Sequence, residues 1–197
     1  MIQRSDEWFN ARLGLLSASH GGDIMAKKGT ARRENYIVKL ICERLTGKRE
    51  ESFVSGPMQW GIDTEPLASS AYEAITGNFI KAEGFRYLDS AKLGASPDGL
   101  VGDNGGIEIK CPNTTTHFET LLHDKVKTDY IYQMQINMIV WDRAWWDFVS
   151  YDPRLPQEMS IKIIRHELDQ SIVADLIDAA VEAEDQIIET IKKLKKL

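Results

Sequence analysis

Asp98, Glu108 and Lys110 are the residues whose types and spacing point most directly to chemistry. Asp98 lies in Ser96-Pro97-Asp98-Gly99, a turn signature, and Glu108 and Lys110 flank Ile109 in a short apolar run. Side chains alternate along a strand, so Glu108 and Lys110 share one face and Ile109 takes the other. Asp103-Asn104-Gly105-Gly106 between them reads as a hairpin loop that folds the second strand back beside the first. Two carboxylates and an ammonium then converge. Carboxylate oxygens suit Mg²⁺, or Mn²⁺ in its place, and an ion held there polarises a phosphodiester and activates water. Lys110 beside it would orient or deprotonate that water, or neutralise the charge that develops on the phosphate. Glu65 on a preceding helix and the backbone carbonyl of Ile109 are further candidate ligands. Each fragment alone reads as an ordinary turn or a solvated strand face; the joint pattern is what points to phosphodiester cleavage.

The surrounding elements must hold these groups. A short helix is predicted over 5–14, and Ser17 or Ser19 would cap another that runs to about Ala26. Tyr36, Ile37, Leu40, Ile41 and Leu45 recur at helical spacing over 31–46, and Gly47 stops the run. Pro57 suits the first turn of a helix that continues past Glu65 to about Ile75, with Gly77 at its end. Segments 79–88 and 92–95 read as extended, and Leu100-Val101 pairs across the hairpin with Ile107–Lys110, which Pro112 closes. Helices are predicted at 114–123 and 128–142, strands at 144–151 and 159–166, and one long amphipathic helix from Asp169 to Leu197. The order predicts one α/β domain over 1–197, a mixed sheet flanked by helices.

Composition bounds the rest. The chain has 197 residues, 43% hydrophobic and 27% charged, as in soluble globular proteins. No stretch reaches the roughly 18 apolar residues of a membrane helix, and the start has no apolar signal core, so a cytoplasmic location is expected. Cys42 and Cys111 are far apart and form no zinc-like spacing with the histidines. The net charge of −6 argues against a generally basic DNA-binding surface. Charge is uneven, however. Lys27, Lys28, Arg32 and Arg33 form one basic group and Lys192, Lys193, Lys195 and Lys196 another, with acid around Glu50-Glu51 and in the last helix. A local groove assisted by metal ions is compatible with an acidic whole.

Asp98 with Glu108-Ile109-Lys110 resembles the PD-(D/E)xK nuclease motif. An ordered series extends the likeness along nearly the whole chain: Glu7-Trp8, Arg12-Leu13-Gly14, Ser17-Ala18-Ser19, Trp60-Gly61 with Glu65, Ser96 to Leu100, Glu108 to Pro112, Gln133-Met134-Gln135 and Tyr151 to Arg154. That series is similar to the phage lambda exonuclease family, the YqaJ-like viral recombinases. The resemblance implies a restriction-endonuclease-like fold and a processive 5′-to-3′ exonuclease on linear double-stranded DNA. Such an enzyme releases 5′-mononucleotides and leaves a 3′ single-stranded overhang for strand-annealing recombination. It also implies two Mg²⁺ ions per site, a homotrimeric ring, a single-strand annealing protein as partner, and a phage or prophage gene in a bacterial host.

By position, the resemblance makes Asp98 and Glu108 metal ligands, Lys110 the catalytic lysine and Glu65 the additional acid. Arg12, Ser19, Ser96 and Gln133 match a pocket for the 5′-terminal phosphate, and a guanidinium, two hydroxyls and an amide suit a phosphate dianion. Met58 stands where the family has a strand-separating leucine, and Thr116 where it has an arginine near the active site. An endonuclease of restriction or repair type is the alternative within the superfamily, and a DNA-end-binding protein with a defunct centre is a third reading.

Overall fold

The computed structural model describes residues 3–49 and 55–196. Glu50, Glu51 and Leu197, which the sequence pattern includes, lie outside the described residues. In chain order the helices are α1 (Asp6–Arg12), α2 (Gly21–Ile24), α3 (Ala31–Thr46) and α4 (Gly56–Thr76). Strands β1 (Ile80–Lys81), β2 (Arg86–Leu88), β3 (Leu93–Ala95), β4 (Gly99–Val101) and β5 (Gly105–Lys110) follow. Then come α5 (Thr114–His123), α6 (Thr128–Trp141), β6 (Trp145–Tyr151), β7 (Ile161–Glu167) and α7 (Gln170–Leu194).

Five strands form one mixed sheet in the order β1-β4-β5-β6-β7, and β2 and β3 pair separately. Every pairing in the larger sheet is antiparallel except β5–β6. A parallel pair needs a crossover, and α5 with α6 supplies it. Helix α4 covers one face, where Ala68 and Tyr72 pack on Val101, Ile107, Ile109 and Val149. Helix α6 covers the other, with Met134 and Met138 on Leu100, Trp146 and Phe148. The reverse side of α6, through Ile136 and Val140, packs into a second core with α2, α3, α7 and β3. A helix buried on two sides has no polar face, which accounts for the near-continuous apolar run Ile136 to Val140 broken by Asn137.

Tyr72 anchors α4. Its hydroxyl donates to Asp147 Oδ2 at 2.7 Å, and the Arg165 guanidinium grips the same buried carboxylate through Nε at 2.8 Å and Nη2 at 2.9 Å. Glu65, Ala68 and Tyr72 fall at helical spacing on one stripe, so this anchor also fixes where Glu65 stands. Pro66 within α4 removes the hydrogen bond to the carbonyl one turn back, at Ile62, next to that carboxylate.

The structure corrects the hairpin. Gly105 and Gly106 belong to β5 rather than to the loop, and Gly102 at φ 54° makes the turn. Their lack of a side chain serves close packing. A Cβ on Gly105 would lie 2.1 Å from the Trp145 indole, and one on Gly106 would lie 2.3 Å from that of Trp146, which is fully buried. Gly106→Ala should therefore overpack the sheet–α6 interface and cost about 1–3 kcal/mol. A urea midpoint unchanged from wild type would refute this.

Other predicted elements shift more modestly. Ser17 precedes a single 3₁₀ turn, Ala18–His20, and its side chain makes no capping bond to it. The two arginines of the basic group near the N-terminus are committed within the fold. Arg32 pairs with Asp23 at 2.6 Å and Asp129 at 2.7 Å, and buried Arg33 bonds the Ile24 carbonyl and Glu182, both at 2.9 Å. Among the described residues no helix is long and apolar enough to cross a membrane.

Candidate active site

The predicted trio does come together, at the mouth of β4 and the end of β5. Asp98 Oδ2 accepts the backbone N–H of Ile109 at 2.7 Å, which ties the Ser96–Gly99 turn to the neighbouring strand. Glu108 is wholly buried on the α6 face, and its Oε1 accepts from Lys110 Nζ. Helix α6 supplies the other walls. The Lys110 ammonium lies 5.0 Å from the centre of the Tyr130 ring, and Asn137 Nδ2 donates to Glu108 Oε2 at 3.4 Å. Tyr130 and Asn137 are about two turns apart, so one helical stripe serves both residues of the Glu-x-Lys pair.

Glu65 enters from α4, where its Oε2 meets Arg4 at 3.4 Å. Three carboxyls thus face one partly buried ammonium and one exposed guanidinium. Burial, with mutual repulsion, pushes Glu108 up to about 8 despite Lys110. Burial raises Asp98 as well, and burial with the Asp98 charge raises Glu65. Burial draws Lys110 down, but Glu108 and Asp98 outweigh it and the net shift is upward. Among the described residues no three His, Cys, Asp or Glu side chains already converge on one point as a ligand cage. In the contacts present, Glu108 turns to Lys110 and Glu65 to Arg4. The donors are all oxygens, the set a hard divalent cation prefers, and such a cation would hold the raised carboxyls ionised.

A cleft of about 790 Å³ opens over these groups, bounded by Arg4, Met58, Trp60, Glu65, Lys110 and Arg154. Met58 is half exposed on its rim. Arg154 stacks on Trp60 at 4.6 Å and pairs through Nε with fully buried Asp152 at 2.7 Å, fastening the end of β6 to the cleft wall.

Arg12, Ser19 and Ser96 gather around Trp8. The Arg12 guanidinium lies 3.9 Å over the Trp8 ring and donates to Ser19 Oγ at 3.3 Å, while Trp8 Nε1 donates to Ser96 Oγ at 2.6 Å. Burial lowers the Arg12 pKa. Arg12 also lines a cavity of about 170 Å³ with His20, Lys39 and Arg49. Gln133 is half-buried on α6, the helix against β3, and among the described residues no hydrogen bond joins it to Arg12, Ser19 or Ser96. The buried amide on that helix is Gln135, which donates to the Glu167 carbonyl and accepts from Asp169 N, both at 2.9 Å.

Sequence reasoning gave no role to Trp8, Tyr130, Asn137 or Arg4. Asn137 left a signal, a lone amide in an apolar helix at heptad spacing from Tyr130. The others act through partners distant in sequence.

A mixed sheet flanked by helices, with Asp98 and Glu-x-Lys at adjoining strand ends, defines the PD-(D/E)xK class of nuclease fold. The chain belongs to the YqaJ-like viral recombinase family, whose domain it matches over residues 7–144. It is 44% identical to the solved alkaline exonuclease LHK-Exo in its complex with dAMP, with a TM-score of 0.92 over 98% of this chain and 97% of that one. A second structure of that enzyme, from Laribacter hongkongensis, gives 43% and 0.91 over the same shares. A phage-related exonuclease from Haemophilus somnus 129PT shares the fold at 17% identity and a TM-score of 0.72, over 93% of this chain and 99% of that one. No curated protein matches the chain in sequence. Family and likeness together make the chain a deoxyribonuclease, an exonuclease of the alkaline, viral-recombinase type.

Proposed function

We propose that the chain, as one catalytic domain, digests linear double-stranded DNA processively from 5′ to 3′, with Mg²⁺ as cofactor. It releases 5′-mononucleotides and leaves a 3′ overhang for a single-strand annealing protein. The observation that supports this reading is the carboxyl–lysine centre of Asp98, Glu108 and Lys110, with Asp98 in the same turn as Ser96, whose hydroxyl is tied through Trp8 to the guanidinium of Arg12.

Asp98, Glu108 and the Ile109 carbonyl would hold the metal, with Glu65 available for a second ion. When bound, a divalent cation supplies Lewis-acid polarisation of the scissile phosphate and acidifies nearby water. Lys110 orients that water and offsets charge on the phosphate. Water adds to phosphorus, the P–O3′ bond breaks, and the 3′ oxygen leaves with a proton. The released nucleotide keeps its own 5′ phosphate, and the polymer gains a new one. Arg12, Ser19, Ser96 and Gln133 hold the terminal phosphate, and Met58 at the cleft rim separates the strands. The fold similarity to LHK-Exo, solved with dAMP, supports a mononucleotide product. A homotrimeric ring in the bacterial cytoplasm completes the reading.

The deciding experiment compares linear with covalently closed circular duplex, with products sized. Mononucleotides from the linear form alone, abolished by EDTA, are expected. Nicking of the circle would favour an endonuclease, and activity surviving EDTA would overturn the metal mechanism.

Proton linkage gives a further prediction. Glu108, raised from 4.5 to about 8, is largely protonated at neutral pH without metal. Its stabilising influence is full below about 4.5 and is lost as pH rises through about 8, so metal-free protein should become less stable across that window. Metal uptake near pH 7 should release about one proton per site, and less above pH 9. Calorimetry in buffers of different ionisation enthalpy measures this, and no buffer dependence would contradict it.

A further inference from the structure

Lys110 lines a second cavity besides the cleft that holds Glu65. It measures about 250 Å³ and is bounded by Thr116 and Thr120 of α5, Lys125 and Lys127 between α5 and α6, Tyr130 of α6 and Phe148 of β6. Lys110 and Tyr130 border both spaces and so form the wall between them. Tyr130 stacks on Phe148, with centroids 5.7 Å apart and planes at 22°, and makes an aromatic floor. The ammonium of Lys127 lies 5.9 Å from the same Tyr130 ring that Lys110 approaches to 5.0 Å.

Charge in this cavity is unbalanced. Asp124, beside Lys125, pairs with Lys162, and Glu119, which also lines the space, faces His123 at 3.9 Å. Among the described residues neither Lys125 nor Lys127 has an ion-pair partner. An aromatic floor, hydroxyl walls and two uncommitted ammonium groups suit a unit that is flat and apolar at one end and anionic at the other. The size suits one such unit.

The position suits a strand. Asp98 stands at the mouth of β4, Lys110 on β5, and Phe148 on β6 opposite Glu108, so the sites follow one another across neighbouring strands of the sheet. A strand with its scissile phosphate at Lys110 would meet this cavity on the β6 side of β5, opposite the side of β4 and Asp98.

We infer that the cavity holds the nucleotide beyond the scissile bond, with sugar or base on Tyr130–Phe148 and the next backbone phosphate on Lys125 and Lys127. The inference rests on the exonuclease reading. It assigns this subsite the retention of the polymer after each cut, while the mononucleotide departs from the Arg12 side.

The test compares wild type with Lys125→Ala/Lys127→Ala, Lys125→Arg/Lys127→Arg and, as a charge control on α7, Lys192→Ala/Lys193→Ala. Digestion of 5′-phosphorylated linear duplex is followed over a range of salt. The alanine pair should raise KM by about tenfold, keep kcat within about twofold, shorten digestion runs and flatten the log–log salt dependence by roughly one to two units. The arginine pair should restore these values, and the α7 control should match wild type. Anisotropy with a 5′-phosphorylated single-stranded oligonucleotide and no metal reads the same contact without catalysis, so an inactive wild type would overturn the exonuclease reading and leave this comparison intact. Wild-type KM, run length, salt slope and oligonucleotide affinity in the alanine pair would overturn the inference. Loss of dAMP inhibition in that pair, with those four values unchanged, would do so too, because it would mark a product site.

Discussion

Lys110→Ala should digest linear duplex DNA roughly 10²–10⁴-fold more slowly than wild type while binding it nearly as well. The ammonium touches Glu108 and lies against Tyr130 at the wall of the cleft, where a scissile phosphate and its attacking water would meet. Charge stabilisation in a site shielded from bulk water is worth far more than at a surface, so the loss falls on kcat. Binding spreads over the cleft and survives. The fold survives as well, because Glu108, already pushed up to about 8, is largely protonated without metal and leaves no bare buried charge when Lys110 is gone. The variant should melt cooperatively, and single-turnover digestion with anisotropy separates chemistry from binding. Activity within tenfold of wild type would remove Lys110 from the mechanism.

Arg12→Ala should abolish a preference for 5′-phosphorylated over 5′-hydroxyl ends, which in wild type should be about 10–100-fold, the worth of one or two charge-assisted hydrogen bonds. The guanidinium is held in advance by Trp8 at 3.9 Å and by Ser19 at 3.3 Å, so little ordering remains to be done when a phosphate arrives. Loss of rate should be confined to phosphorylated ends, with 5′-hydroxyl ends unchanged. Trp8→Phe keeps the stack but frees Ser96, and should fall between the two. Equal wild-type rates on both kinds of end would remove the pocket.

Much of this was legible before any coordinates. Helices α3 and α4 end where glycines at φ 65° and 70° end them, and apolar periodicity set their bodies. Glu108 and Lys110 share a face because pleating requires it. The misreadings have a common cause. Gly105-Gly106 looks like loop chemistry because nothing local reveals two indoles lying on that strand. The Arg32–Arg33 group looks like uncommitted positive charge because its partners Asp129 and Glu182 are remote in sequence. Gln133 stood out only through the family likeness, and nothing in the spacing marks Gln135 and Asn137 as the buried amides of α6. Trp8 holds Ser96 from across the whole N-terminal half, a contact no spacing rule contains.

Helix α6, packed on both sides, bears on how the molecule comes into being. Glu108 and Lys110 acquire Asn137 and Tyr130 only when the crossover closes and β5 pairs in parallel with β6. Pairing of that non-local kind is slow to nucleate and comes at the expense of loop entropy. A nascent or partly refolded chain therefore carries the Glu-x-Lys residues without a working centre, and in a refolding time course nuclease activity should return with the last phase rather than with early helix formation. The crossover thus sets an order of assembly in which the cutting centre is completed only when β5 and β6 are joined.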